Sequence, residues 1–92
     1  MRFTLAHERV VIGHRISVKV VAAASEVITR VVTRLDGRQL GDDKLKPAEI
    51  QYERSFEQQG GAGPGQNHVL TVSATDGEGE IRSASRRWTD SV

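Results

Sequence analysis

HVLTVSATDGEGE (residues 68–80) alternates apolar and polar residues up to Asp76 and then runs into three acids separated by glycines. Leu70, Val72 and Ala74 share one side and Thr71, Ser73 and Thr75 the other, which is the period-two pattern of a half-buried strand. The acids that follow admit two readings. In one, Gly77 and Gly79 supply positive φ and Asp76 caps a turn with an Asx-type hydrogen bond. In the other, Asp76, Glu78 and Glu80 offer oxygens to Ca²⁺, which takes about 6–8 of them. The run is too short for a calcium loop of the EF-hand kind, so the turn is the preferred reading. The three acids remain the candidate calcium ligands.

The same alternation recurs outward along the chain. Residues 2–6 place Phe3 and Leu5 on one side. Residues 10–12 form a short apolar run closed by Gly13. Ile16, Val18 and Val20 share a face opposite Ser17 and Lys19. Residues 23–29 read as a loop, because the β-branched residues after them favour a strand over a helix. Val31, Thr33 and Leu35 then point inward, with Arg30 and Arg34 outward, and the strand ends at Asp36-Gly37. That pair is a strong hairpin signal, since both central residues of a type I′ turn need positive φ. A short return strand, 38–40, is expected to break at Gly41-Asp42-Asp43, and 44–47 to be a polar connection, because Pro47 cannot sit in a central strand. Ile50, Tyr52 and Phe56 share a face that Arg54 interrupts, its head snorkelling to water. Residues 57–66 are Gly-rich and read as a loop. In the last strand, 80–88, Ile81 and Trp88 fall on opposite parities, so a bulge between them is expected.

About seven short strands, frequent turn signals and no long helical pattern define an all-β fold, a sandwich of antiparallel strands forming a single domain over residues 1–92. A chain of 92 residues with four aromatics supports a modest aliphatic core. It leaves little room for an enclosed substrate cavity of roughly 300–1,000 Å³. Cysteine is absent, which removes disulfides and thiolate chemistry. The N-terminal residues carry charge and lack an apolar core, so they are not a signal peptide. The chain is therefore expected to be cytoplasmic or cut from a longer precursor. No run is apolar enough for a membrane span. Net charge is +1, with nine basic against five acidic residues in 1–46 and four against seven in 47–92.

The run ITRVVTRLDGRQLG, followed by PGQNHVLTVSATDGEGE, resembles the bacterial immunoglobulin-like modules. The matching positions are Leu35-Asp36-Gly37, Pro64-Gly65, His68, Leu70, Val72, Ala74, Asp76 and Gly79, with one extra residue at Gln66-Asn67. The likeness covers about residues 15–85 and consists of fold signatures. It implies an immunoglobulin-like β-sandwich of about seven strands. It also implies a non-catalytic role as spacer, protein- or carbohydrate-binding accessory, or decoration in a bacterial or phage surface or structural protein.

The remaining candidates are modest. His7, His14 and His68 lie far apart in sequence without the close spacing of zinc ligands, so each reads as a strand-edge or loop residue. No serine sits in a nucleophile elbow, and no catalytic residue or cofactor is assigned. Gly63 and Pro64, in GGAGPG, lack the ending of a phosphate loop and read first as part of an inter-strand connection, with a partner-binding loop as the alternative. Arg82, Arg86 and Trp88 share a parity, which read one way is a basic stripe ending in an aromatic; the preferred reading packs Trp88 against the sandwich and turns the arginines to water. With Gly63 and Pro64 they are the candidate partner-binding residues. Nucleic acid is not expected, because the chain lacks a basic surface rich in aromatics. The expected partner is another protein or a neighbouring domain, reached by an edge strand or end loops. The alternative is a glycan stacked on Trp88 or Tyr52.

Overall fold

A computed structural model of the chain describes residues 1–10, 13–59 and 67–89. Seven strands follow in order: β1 (Arg2–Val10), β2 (Gly13–Val21), β3 (Ile28–Leu35), β4 (Arg38–Glu49), β5 (Gln51–Gln59), β6 (Asn67–Asp76) and β7 (Ile81–Thr89). All pairings are antiparallel. They make one sheet in the order β1-β2-β5 and a second in the order β4-β3-β6-β7. The all-β reading therefore holds. In the constant-type immunoglobulin plan the fourth strand joins the first sheet; here it stays beside β3.

Alternation builds the core. Ile16, Val18, Val20, Val31, Thr33, Leu70, Val72 and Ala74 are fully buried between the sheets. Met1, Phe3, Leu5, Leu35, Leu40, Leu45 and Trp88 pack around them. Burying one Val, Leu or Ile contributes about 1.5–3 kcal/mol, so these inward positions carry most of the stability. The Asp36-Gly37 hairpin forms as read, with φ of 52° and 82°.

Three expectations are corrected. First, β4 does not stop at residue 40 but runs on to Glu49, through Gly41 and Pro47. It is an edge strand, so one side of its backbone needs no partner and proline is tolerated. Its register against β3 slips twice, and Pro47 lies in one of those slips. Gly41 is a site of close approach: a Cβ there would lie 3.0 Å from Phe56 Cε1 and from Arg54 Nη1. Second, Ile50 is 65% exposed. It sits in the β4–β5 connection, where its carbonyl accepts a hydrogen bond from the Ala22 N–H (2.9 Å). Third, β7 has no bulge, because its register with β6 is continuous from Asn67↔Thr89 to Thr75↔Ile81. Ile81 simply points outward, 68% exposed, while Ala84 and Trp88 face in.

The strand order sets β1 against β7 and β5 against β4 at the sandwich's two open sides, and polar ties close both. On one side Asp43 of β4 accepts from the Tyr52 hydroxyl (2.5 Å) and Arg54 Nη1 (2.7 Å) of β5. Arg54 also lies over the Phe56 ring, 4.6 Å from its centroid. On the other side Arg86 of β7 donates to the Leu5 carbonyl of β1 (3.3 Å).

Candidate functional site

The inward parity of four strands ends in chemistry-bearing residues. His7 continues the Phe3–Leu5 face of β1 and His14 precedes Ile16 on β2. On the other sheet, His68 precedes Leu70 on β6 and Trp88 ends the inward face of β7. Antiparallel pairing brings all four to one end of the sandwich. The three histidines and one tryptophan of the sequence therefore cap the aliphatic core together.

His7 stacks on Trp88, with centroids 4.1 Å apart and planes at 16°. His14 lies tilted against His7 at 4.8 Å, and His7 Nε2 meets His14 Nδ1 at 2.7 Å. His68 is tilted against Trp88 at 5.6 Å and against His14 at 6.0 Å. Its Nδ1 lies 2.6 Å from Asp36 Oδ2, while Asp36 Oδ1 accepts the Val69 N–H at 2.8 Å. Burial pushes the Asp36 carboxyl up, but the hydrogen bonds from His68 and Val69 outweigh it and hold the group below the usual carboxylate range. Beside the stack an open groove of about 410 Å³ is lined by Asp36, Asn67, His68, Arg87, Trp88 and Thr89. The indole Nε1 is buried and has no hydrogen-bond partner among the described residues.

This cluster corrects the view of the histidines as separate edge or loop residues: each is a half-buried strand residue. Their inward parity was the available signal, but only the strand order shows that the four ends coincide. Two nitrogens 2.7 Å apart share a proton rather than a metal. Among the described residues no group of three His, Asp or Glu is placed to hold a metal ion.

The other candidates lie elsewhere. Asp76 is 7% exposed, and its Oδ1 accepts the N–H groups of Glu78 and Glu80, both at 2.9 Å, as an Asx cap does. Gly79 has the positive φ (85°) that the turn reading expects. Gly77 does not; a Cβ there would meet Val27 Cγ2 at 2.7 Å, so its glycine answers to space. Glu80 lies 3.7 Å from Arg82, and Arg82 lies 3.6 Å from Glu26, which also pairs with the N-terminal amine. Arg82, Arg86 and Trp88 do share a face. It is the inward one, and each of the three reaches a partner: Glu26, the Leu5 carbonyl and His7. Both aromatic candidates for sugar stacking are also engaged, Trp88 by His7 and the buried Tyr52 by Asp43. Gly63 and Pro64 lie outside the described residues.

No protein-family model matches the chain, and no curated protein matches it. Among solved structures it is similar to the fibronectin(III)-like modules of CbhA from Clostridium thermocellum. Identity is 21%, coverage is 98% of this chain and 97% of that one, and the TM-score is 0.58. Strand count, sheet order and this likeness agree: the chain has an immunoglobulin-like β-sandwich fold of the fibronectin(III)-like kind.

Proposed function

We propose that residues 1–92 form one non-catalytic module that spaces and joins neighbouring domains of a larger bacterial or phage surface or structural protein. The observation that carries this is the placement of the chain's two described ends. β1 begins at Arg2, paired with Val21, at the end where β2 passes into β3 and β7 begins. Thr89 pairs with Asn67 at the other end, beside the histidine stack. A chain that enters at one pole and leaves at the other stacks end to end with its neighbours, adding the length of a strand at each step. The molecule measures 44 × 20 × 17 Å, an elongated shape that suits this use.

Three exposed large aliphatics support contact at the entry end. Val27, Ile50 and Ile81 belong to the β2–β3 loop, the β4–β5 turn and the start of β7, all at that pole. The engagement of Trp88 and Tyr52 within the fold weighs against a sugar-stacking platform.

Two copies joined head to tail and studied by small-angle scattering test the reading. An extended particle with nearly twice the length of one copy is expected, and a compact side-by-side pair would overturn it. Titration with oligosaccharides should leave Trp88 emission unchanged; a saturable shift would favour the glycan alternative.

A further inference from the structure

We propose that the outer face of the β4-β3-β6-β7 sheet binds an anionic polysaccharide, with Arg34 and Arg87 taking its carboxylate or sulfate groups and the hydroxyls of Thr71 and Ser85 lying beneath the sugar chain. The site uses the side of the sheet turned away from the core, and it is independent of the spacer reading.

Register builds the site. The alternation that buries Val31, Thr33, Leu70, Val72 and Ala74 turns Arg30, Val32 and Arg34 of β3 outward, with Thr71, Ser73 and Thr75 of β6. Pairing sets Arg34 beside Thr71 and Thr71 beside Ser85; in the next row Val32, Ser73 and Ser83 stand side by side. Arg87 is exposed on the same face of β7, opposite Val69. The middle of the face is therefore a floor of short hydroxyl side chains. Ser73 meets Ser83 at 2.9 Å, and Thr71 meets Ser85 at 3.4 Å. A hydroxyl has one hydrogen to give and two lone pairs to offer, so each pair keeps capacity for a ligand. The Arg34 and Arg87 backbones stand two strands and two residues apart, roughly 12 Å. Two extended guanidinium side chains span that gap with one or two anionic groups between them.

The charge of this face is one-sided. Arg30, Arg34, Lys44 and Arg87 point out from it, with Asp42 among the first three. Arg30 takes Asp42 through bonds of 2.8 and 2.5 Å. That hydrogen bonding, helped by the charges of Lys44 and Arg34, holds the Asp42 carboxyl below its usual range. Three cations share one anion. Among the described residues Arg34 and Arg87 form no ion pair, and Asp36, near Arg87, is engaged by His68 and the Val69 N–H. The opposite sheet is balanced by contrast. Its outer face sets Arg2, Arg15 and Lys19 against Glu8, Glu53 and Glu57, with Arg15 bonded to Glu57 at 3.1 Å.

A guanidinium takes a carboxylate or sulfate through paired N–H bonds. Hydroxyls between two such groups suit a chain of sugars, whose own hydroxyls both give and accept hydrogens. Nucleic acid calls for aromatic side chains that stack its bases, and all four aromatics of the chain pack on the core instead. An acidic protein calls for a large anchor at the centre of the contact. Here the centre holds Ser73 and Ser83 beside a half-buried Val32, and Ile81 lies at the margin.

The test follows backbone amide shifts of the whole chain as a heparin oligosaccharide or an oligogalacturonate is added, sulfate carrying charge in the first and carboxylate in the second. Saturable shifts at Arg34, Thr71, Ser85 and Arg87 with at least one of them, weakening as salt rises, are the expected result. Which of the two binds tells sulfate from carboxylate. A neutral cello-oligosaccharide should move none of these amides. Arg34→Gln combined with Arg87→Gln should weaken binding by about tenfold or more, as the loss of charge-assisted hydrogen bonds requires, while the thermal unfolding midpoint stays in place. Arg2→Gln combined with Lys19→Gln, on the opposite sheet, should leave the affinity nearly unchanged. Failure of both probes to bind, shifts confined to other surfaces, an equal loss in the two double variants, or equally tight binding of an oligothymidylate would overturn the proposal.

Discussion

Thr33 lies fully buried between Val31 and Leu35 on β3, its hydroxyl without a hydrogen-bond partner among the described residues. The alternation that puts Val31 inside puts Thr33 inside as well, whatever its polarity. An unpaired buried hydroxyl costs about 1–3 kcal/mol. Thr33→Val keeps the shape and removes that cost, so urea denaturation should show a gain of about 1–2 kcal/mol. No gain would mean that the hydroxyl finds a partner. Parity carried the reading of this residue correctly, and likewise those of Ile16, Val18, Leu70 and Val72. It failed at Ile50 and Ile81, because a residue at the margin of a strand can turn outward without disturbing the pattern beyond it.

At the scale of elements, β4 separates what the sequence discloses from what it withholds. Gly41, Asp42, Asp43 and Pro47 look like breakers only if both sides of the strand must be paired. On an edge they are tolerated, and the two acids become ties: Arg30 holds Asp42 from the neighbouring strand, while Tyr52 and Arg54 hold Asp43 from the opposite sheet. The Tyr52 hydroxyl holds the Asp43 carboxyl below the usual range, against the upward push of burial and with help from Arg54. Burial first, and then Asp43, push the Tyr52 hydroxyl well above its ordinary value. Tyr52→Phe should cost about 1–2 kcal/mol of stability near neutral pH. Because Asp43 is depressed in the folded state, its contribution is complete above the ordinary carboxylate value of about 3.9 and is lost as pH falls through the lower folded value. Acid unfolding curves of wild type and Tyr52→Phe should therefore converge below that range. A gap that persists there would assign the loss to packing rather than to the hydrogen bond. The histidine–tryptophan cap was hidden for a related reason: its members come from four strands, and only the order of the sheets makes them neighbours.

In the whole molecule, two facing sheets carry the chain from one pole to the other. The alternation and the Asp36-Gly37 turn made the sandwich legible. The assignment of β4 to the second sheet, and with it the side-to-side pairing of edges, was not legible, because pairing partners leave no period in a single sequence. The absence of cysteine makes the pole-to-pole path of the chain directly measurable. Spin labels on Arg2→Cys and Thr89→Cys report the distance between the two ends. A separation of roughly 20–25 Å is expected, because Trp88 stacks on His7 and Thr89 therefore lies six or seven residues along from Arg2 at about 3.3 Å per residue; a distance below about 15 Å, with both ends at one pole, would overturn the pole-to-pole path.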